Sequence, residues 1–503
     1  MHQAADSCHL HPTSEYIAHR PQDSVLYQVL QDHLEQFLAD RQRENQPIAT
    51  FVERELRAFL DCGILANGFL RTKCEGCQFE RAVAFSCKRR GFCPSCGGKR
   101  MAEVAEHLIE HVLPVAPYRQ YVLTLPFPLR FWSATSRRLL GKVYSVFASS
   151  VASFLEERAR RELGVKEPKA GSVTFVQHFG SALQLTPHFH LIAFDGVFET
   201  QGCLEHSLTP KFHELKAPSD EEIAELLLRV VKKIIAYLRK SGYLAELGDE
   251  VIQENMDPRL QDETSLLRCM HASIVGRIAF GEAAGQKVTK IGSGFGYEEE
   301  IPLAKGPRCF SSNGFSLHAN VKTLAHHRDQ LERLIRYTAR PPLSNERLSM
   351  TDDGQVELKL KRMFSDGTLS LRMSPTTFIS RLCAIIPQPH AHLIRYQGIL
   401  SSAHKLRNRI ILRPGIARGG GLSLSESKPS LRLVKDSSWA RLLARCFKVD
   451  VSRCPRCGGD LRIIGAVTDS RQAERYLRHL GLAHHPPPIK PAKFRQGELH
   501  FEI

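Results

Sequence analysis

The run Val173-Thr174-Phe175-Val176-Gln177-His178-Phe179, the turn-like segment from Gly180 to Pro187, and the run His188-Phe189-His190-Leu191-Ile192-Ala193-Phe194 decide how the centre of this chain folds. Both runs are rich in β-branched and aromatic residues, and the segment between them carries glycine and proline, so they read as the strands of a hairpin. Alternate residues of a strand share a face. His188 and His190 therefore project to one side, and Phe189 projects to the other, towards a core. Two imidazoles so placed can hold a divalent cation against a phosphate. The chain has 23 histidines, so such a triplet also arises by chance and needs a chemical partner.

Tyr337 is the candidate partner. It lies near the end of a helical stretch, Thr323 to Ala339, that is stopped by Pro341-Pro342, with Arg333, Arg336 and Arg340 close by as candidate DNA contacts. A phenol of pKa about 10 is a weak nucleophile at neutral pH. Neighbouring cations and a polarised phosphate would strengthen it. A second triplet, His390-Ala391-His392, followed by Tyr396, has a similar pattern. Ala391 anchors a strand poorly, and Tyr396 lies on the same segment. A tyrosine on a separate helix reaches across a sheet face more readily, which favours His188 and His190.

Around this centre the periodicities predict an α+β protein. Ser24 to Arg43, Phe51 to Leu60 and Met101 to Leu113 have helical spacing, as do the long Ser136 to Leu163 and the amphipathic Glu221 to Leu238. Arg119 to Leu125 reads as a further strand, and Val356 to Met373 as a short hairpin. Gly292 to Gly306 reads as a loop, and Gly419-Gly420-Gly421 with the serine-rich run to Ser430 reads as a linker.

Cys74-Glu75-Gly76-Cys77 and Cys93-Pro94-Ser95-Cys96 are two C-x-x-C knuckles. Each brings two thiolates to one metal, and the two together complete a tetrahedral zinc site. Cys62 and Cys87 lie near them as thiols or ligands of a second metal. Lys88, Arg89 and Arg90 make the region basic and suited to phosphate contact. Cys454 and Cys457 form half of another site, which Cys446, His479, His484 or His485 would complete.

The charge balance fits this reading. Lys and Arg number 69 against 53 Asp and Glu, a net charge of +16, and nucleic acid is the commonest polyanionic partner of such a chain. The opening residues show no secretory leader and no window reads as a membrane helix. The expectation is a cytoplasmic, nucleoid-associated bacterial protein with reduced cysteines.

Taken together, Cys74 to Met101, the run Phe175 to Phe198 around His188-Phe189-His190, the run Leu331 to Pro342 around Tyr337, and the later Ile386 to Gly398 and Cys454 to Gly459 resemble the rolling-circle insertion-sequence transposases of the IS91 and common-region (ISCR) type. The resemblance implies an HUH fold, an antiparallel sheet backed by helices. It also implies Mg2+ or Mn2+ at His188 and His190 with a third ligand; the candidate is Gln177, which hairpin pairing could bring alongside, and His178, Gln184 and His318 are its rivals. The implied reaction is attack by Tyr337 on single-stranded DNA to give a 5′-phosphotyrosine and a free 3′-OH. Relatives with two tyrosines space them four residues apart; here that position is Arg333, which points to the one-tyrosine subtype. The expected organisation is a helical region over 1–61, a zinc ribbon over 62–113, the HUH domain over 114–345 and a mixed C-terminal region over 346–503. Partners would be element ends, target DNA and a second copy of the chain. A plasmid-type HUH nickase and a non-enzymatic zinc-ribbon DNA-binding protein are the competing readings.

Overall fold

A computed structural model describes residues 20–204, 208–244, 253–291, 304–364, 366–411 and 454–493. The serine-rich linker, Cys446 and all but the last three residues of the Gly292 to Gly306 segment lie outside them. The chain is mixed α+β, and it divides into two compact units. One holds Leu60–Lys88 with Gly415–Pro488; the other holds Val25–Phe59 with Arg89–Pro414 and the residues from Ile489.

The larger unit is built on an antiparallel sheet whose middle is the predicted hairpin. Gly171–Phe179 pairs with Leu185–Phe194, and the latter pairs on its other side with Tyr118–Thr124. Beyond Tyr118–Thr124 come Phe315–His318, Cys309–Ser312 and Ala304–Gly306, and beyond Gly171–Phe179 comes Ile394–Gly398. The sequence boundary at 345 therefore does not divide the sheet, because a strand from the expected C-terminal region completes one edge. The loop expected at Gly292 to Gly306 likewise ends in an edge strand.

Alternation gives the sheet two apolar faces. Phe189, Leu191, Leu123 and Val176 pack under Arg137–Leu163 and Asp220–Lys240. The Phe189 ring lies 6.2 Å from Phe147 and 6.3 Å from Tyr144. Ile192, Phe194, Val173 and Phe175 pack on the opposite side with Leu331 and Ile335 of the Arg328–Ala339 helix. Local signals set the helix ends. Ser136 Oγ accepts the Leu139 N–H at 3.3 Å, and Gly164, at φ +67°, ends that 27-residue helix. A capping box of Ser219 and Glu222 starts the next one. Pro94 starts its helix seven residues before the expected Met101, since a proline in the first turn loses no helical hydrogen bond.

One ion pair is sealed between the strands and their connections. Arg119 donates to both Asp195 carboxylate oxygens, at 2.8 and 2.9 Å, and neither side chain is more than 2% exposed. A third bond runs from Arg119 Nη1 to Ala319 O at 3.0 Å. Breaking such a pair leaves an uncompensated buried charge.

The smaller unit joins distant parts of the chain. Phe69–Cys74 pairs with Glu80–Ala84 on one side and with Leu461–Val467 on the other. The Ser470–His479 helix closes over this sheet through Ala473 and Leu477, packed with Phe69 and Val467. The ribbon expected over 62–113 is thus completed from the C-terminal end, while Pro94–His107 belongs to the larger unit.

Replacing Asp195 by Ala should destabilise the larger unit by about 3–5 kcal/mol. A urea titration followed by circular dichroism reads this as an earlier midpoint; an unchanged midpoint would show that the pair does not anchor the sheet.

Candidate active site on the sheet face

Strand register brings the first part of the site together. Gln177 stands opposite His188 across one strand pair, and Thr124 stands opposite it across the other. His190 faces Val122 and Phe175 in the same way. Directly opposed residues share a face, so His188, His190 and Gln177 converge on the side covered by the Arg328–Ala339 helix. The two imidazole centroids are 4.9 Å apart.

Each histidine is oriented by its other ring nitrogen. His188 Nδ1 lies 2.7 Å from Thr186 O and donates to it, which leaves Nε2 open as a lone-pair ligand. His190 Nδ1 lies 3.1 Å from the Gln120 side-chain amide. The atom at that distance is Gln120 Nε2; with the amide turned end for end, its oxygen would accept the Nδ1 proton and His190 would present Nε2 in the same way. Burial pushes the His188 imidazole down to about 4, helped by the Arg340 and Arg130 charges. Burial, the neighbouring His188 and Arg340 lower His190 as well. Both rings are therefore neutral near pH 7, the form in which imidazole binds metals.

Gln177 is buried, and its Nε2 donates to Thr338 O at 2.5 Å. Its Oε1 is buried without a hydrogen-bond partner. A buried amide oxygen of this kind costs free energy unless something binds it. Its rivals are placed less well. Gln184 Oε1 accepts the Ala182 N–H at 2.9 Å within its own turn. His318 sits two strands from His190, opposite Val122, which is about 9–10 Å at ordinary strand spacing. His178 stands at a break in the strand ladder and lines a cavity with Ala134, Leu140 and Leu185, on the face away from the tyrosine helix. Two neutral imidazoles and one amide oxygen could hold a divalent cation and leave its other coordination positions open to water or phosphate oxygen.

Tyr337 comes from the covering helix. Leu331, Ile335 and Thr338 bury one side of that helix, while Tyr337 is 53% exposed. Its ring stands edge-on to His190 with centroids 6.4 Å apart. The Arg340 guanidinium lies 4.5 Å from the Tyr337 ring centroid. Arg340 Nε and Nη1 are buried without a hydrogen-bond partner, and so is Arg347 Nη1. Lys361 is pushed down to about 8 by burial and by the charges of Arg340 and Arg347. Among the described residues none of these three cations forms an ion pair. Unbalanced positive charge with unused donors beside a histidine pair is a place for an oxyanion.

The other sequence candidates are distributed differently. Arg333 bonds Asp329 at 2.8 Å on the exposed side of the tyrosine helix. Arg90 Nη1 donates to Ala391 O at 2.9 Å. Arg89 O accepts from Arg100 at 3.3 Å, and Lys88 takes a left-handed φ of +52°. His390, at φ +62°, lies in a turn, and His392 lies in the irregular segment before the edge strand. Strand alternation does not apply to that rival triplet. Tyr396 follows on the edge strand, partly buried in the apolar face.

The cysteines correct the spacing argument. Cys74 and Cys77 do not meet Cys93 and Cys96; they meet Cys454 and Cys457. Cys74 Sγ is 3.4 Å from Cys457 Sγ, and Cys77 Sγ is 3.5 Å from Cys454 Sγ. The cause is strand pairing: Cys74 lies opposite Leu461, so the knuckle before Leu461 is delivered beside the first one. Cys93 caps the Pro94–His107 helix, and Cys96 is buried in its first turn. Cys62 Sγ accepts the Cys87 N–H at 3.3 Å. His479, His484 and His485 are not part of the four-sulfur group. Sequence reasoning also missed Gln120, Arg347 and Lys361, which carry no motif and are recruited only by the fold.

Two family models match the chain. Residues 171–408 match the Y2_Tnp transposase family, and this span contains both histidines, Gln177 and Tyr337. Residues 29–125 match the transposase zinc-binding domain of the IS91 group, which makes Zn2+ part of the N-terminal region. No curated protein and no solved structure matches the chain. The two family matches do not overlap, and together they span about two thirds of the sequence. The chain belongs to the IS91-type transposases and is a DNA-processing enzyme.

Proposed function

We propose that this transposase cleaves and rejoins single-stranded DNA through Tyr337 in rolling-circle transposition. The observation that carries the reading is Tyr337 edge-on to His190, on a helix whose C-cap residue is Arg340. His188, His190 and Gln177 would hold Mg2+ or Mn2+, which when bound supplies Lewis acidity to a phosphate oxygen.

The residues of the chain divide the remaining work. The Arg340 and Arg347 guanidiniums offer their unused N–H groups to the scissile phosphate and stabilise the charge that builds on it. The Tyr337 oxygen attacks phosphorus, and its proton passes to solvent, which its exposure permits. The bond from phosphorus to the 3′ oxygen breaks, and that oxygen leaves as a 3′-OH after taking up a proton. The phosphate stays on the 5′ side as a phosphotyrosine, so the bond energy is kept for rejoining. Arg333 occupies the position four residues before Tyr337 and points to solvent, which supports a one-tyrosine mechanism with the freed 3′-OH, or a second copy of the chain, completing transfer. The protein would work in the bacterial cytoplasm on element ends and target DNA. Among the described residues no helix is long and apolar enough to cross a membrane.

Incubation with labelled single-stranded DNA bearing candidate ends and Mn2+ should give a covalent adduct on a denaturing gel. Tyr337→Phe should abolish it, and an adduct that persists would remove Tyr337 as the nucleophile. A non-enzymatic DNA-binding protein would give no adduct with any end sequence.

Two further variants separate ligand from phosphate contact. Gln177→Ala should weaken Mn2+ binding, read by isothermal titration, by at least about 10-fold; unchanged affinity would exclude Gln177 as a ligand. Arg340→Ala should leave Mn2+ affinity within a few-fold while slowing adduct formation by about 100-fold or more. A rate close to the parent's would show that Arg340 does not act on the phosphate.

A further inference from the structure

We infer that Cys74, Cys77, Cys454 and Cys457 bind one structural Zn2+, so that the C-terminal knuckle completes the N-terminal ribbon. The two knuckles lie more than 370 residues apart in sequence. The zinc-binding family match stops at residue 125 and does not include the second one.

The knuckles are built alike, although only their cysteines are shared. In the first, Cys74 N–H donates to Phe79 O at 2.8 Å; in the second, Cys454 N–H donates to Gly459 O at 2.7 Å. The residue after the second cysteine is left-handed in both, Gln78 at φ +61° and Gly458 at φ +73°. Backbone N–H groups point at the sulfurs in each: Cys77 N–H to Cys74 Sγ at 3.5 Å, Arg456 N–H to Cys454 Sγ at 3.4 Å, and Gly459 N–H to Cys457 Sγ at 3.4 Å. Such donors stabilise thiolates. The Glu75 N–H reaches across to Asp460 O at 3.0 Å and locks one turn to the other.

The space between the turns fits a metal. All four sulfurs lie within 4.8 Å of one another. Four sulfurs at about 2.3 Å from a tetrahedral zinc are about 3.8 Å apart. Two glycines keep the approach clear. A Cβ on Gly459 would stand 3.2 Å from Cys74 Sγ and 3.3 Å from Cys457 Sγ, and one on Gly76 would stand 3.5 Å from Cys457 Sγ. All four residues are free cysteines, and four thiolates with no open position describe a structural rather than a catalytic zinc.

The sheet beneath gains the most from the metal. Among the described residues its apolar cluster is Phe69, Val467, Ala473 and Leu477, with a few partly buried neighbours. A core of this size needs a staple. Zinc binding, which displaces the thiol protons, supplies it by tying Leu461–Val467 to Phe69–Cys74.

Metal analysis of the full-length chain tests the assignment. Cys454→Ser with Cys457→Ser should lower zinc content by about one equivalent per chain, Cys74→Ser with Cys77→Ser should lower it equally, and all four together should lower it no further. Unchanged zinc in the Cys454/Cys457 variant would overturn the site. So would iron in place of that zinc equivalent in the parent protein. Because paired serines can unfold the ribbon, Cys457→His gives a second reading in the cobalt-substituted protein. It should retain the cobalt while moving the visible ligand-field bands to higher energy, or lose that one equivalent; a spectrum and stoichiometry identical to the parent's would exclude Cys457 as a ligand.

Discussion

The register of Leu185–Phe194 between its two neighbouring strands is the constraint on which the candidate active site depends. It sets Gln177, His188 and Thr124 in one row and Phe175, His190 and Val122 in the next. A slip of one residue would turn both imidazoles into the Phe147 and Tyr144 layer and expose Phe189 to the tyrosine helix. Phe189 opposes that slip from one face, and Ile192 and Phe194 oppose it from the other. The Arg119–Asp195 pair ties the end of this strand to the start of its partner.

The tyrosine depends on the same register at one remove. Its helix is held down by Leu331 and Ile335 on the apolar side of the sheet, and by the bond from Gln177 to Thr338 O. One amide thus has two tasks. Its nitrogen fixes the backbone next to Tyr337, and its oxygen is left for a ligand beside His188 and His190. In the proposed chemistry this couples the position of the nucleophile to that of the metal.

Much of this arrangement was legible in the sequence. Alternation in His188-Phe189-His190 gave the facing of the imidazoles, and the two prolines after Arg340 gave the end of the tyrosine helix. What the sequence obscured were contacts between residues far apart in the chain. Local spacing pairs Cys74 and Cys77 with the nearest C-x-x-C, Cys93 and Cys96. The real partner is set by the pairing of Leu461–Val467 with Phe69–Cys74, which no local pattern encodes. Gln120, Arg347 and Lys361 were missed for the same reason: each is an ordinary residue on its own element. The rival triplet at His390 was separable only weakly by pattern, and its left-handed turn is what removes it from strand geometry.

In the proposed chemistry the Tyr337 oxygen forms the bond to DNA. The most direct measurement is mass spectrometry of the trapped protein–DNA adduct after nuclease trimming and proteolysis, which locates the residual nucleotide on one peptide. The expected result is a phosphotyrosine-linked nucleotide on Tyr337. A nucleotide on Tyr396 or any other residue, with Tyr337 unmodified, would contradict it.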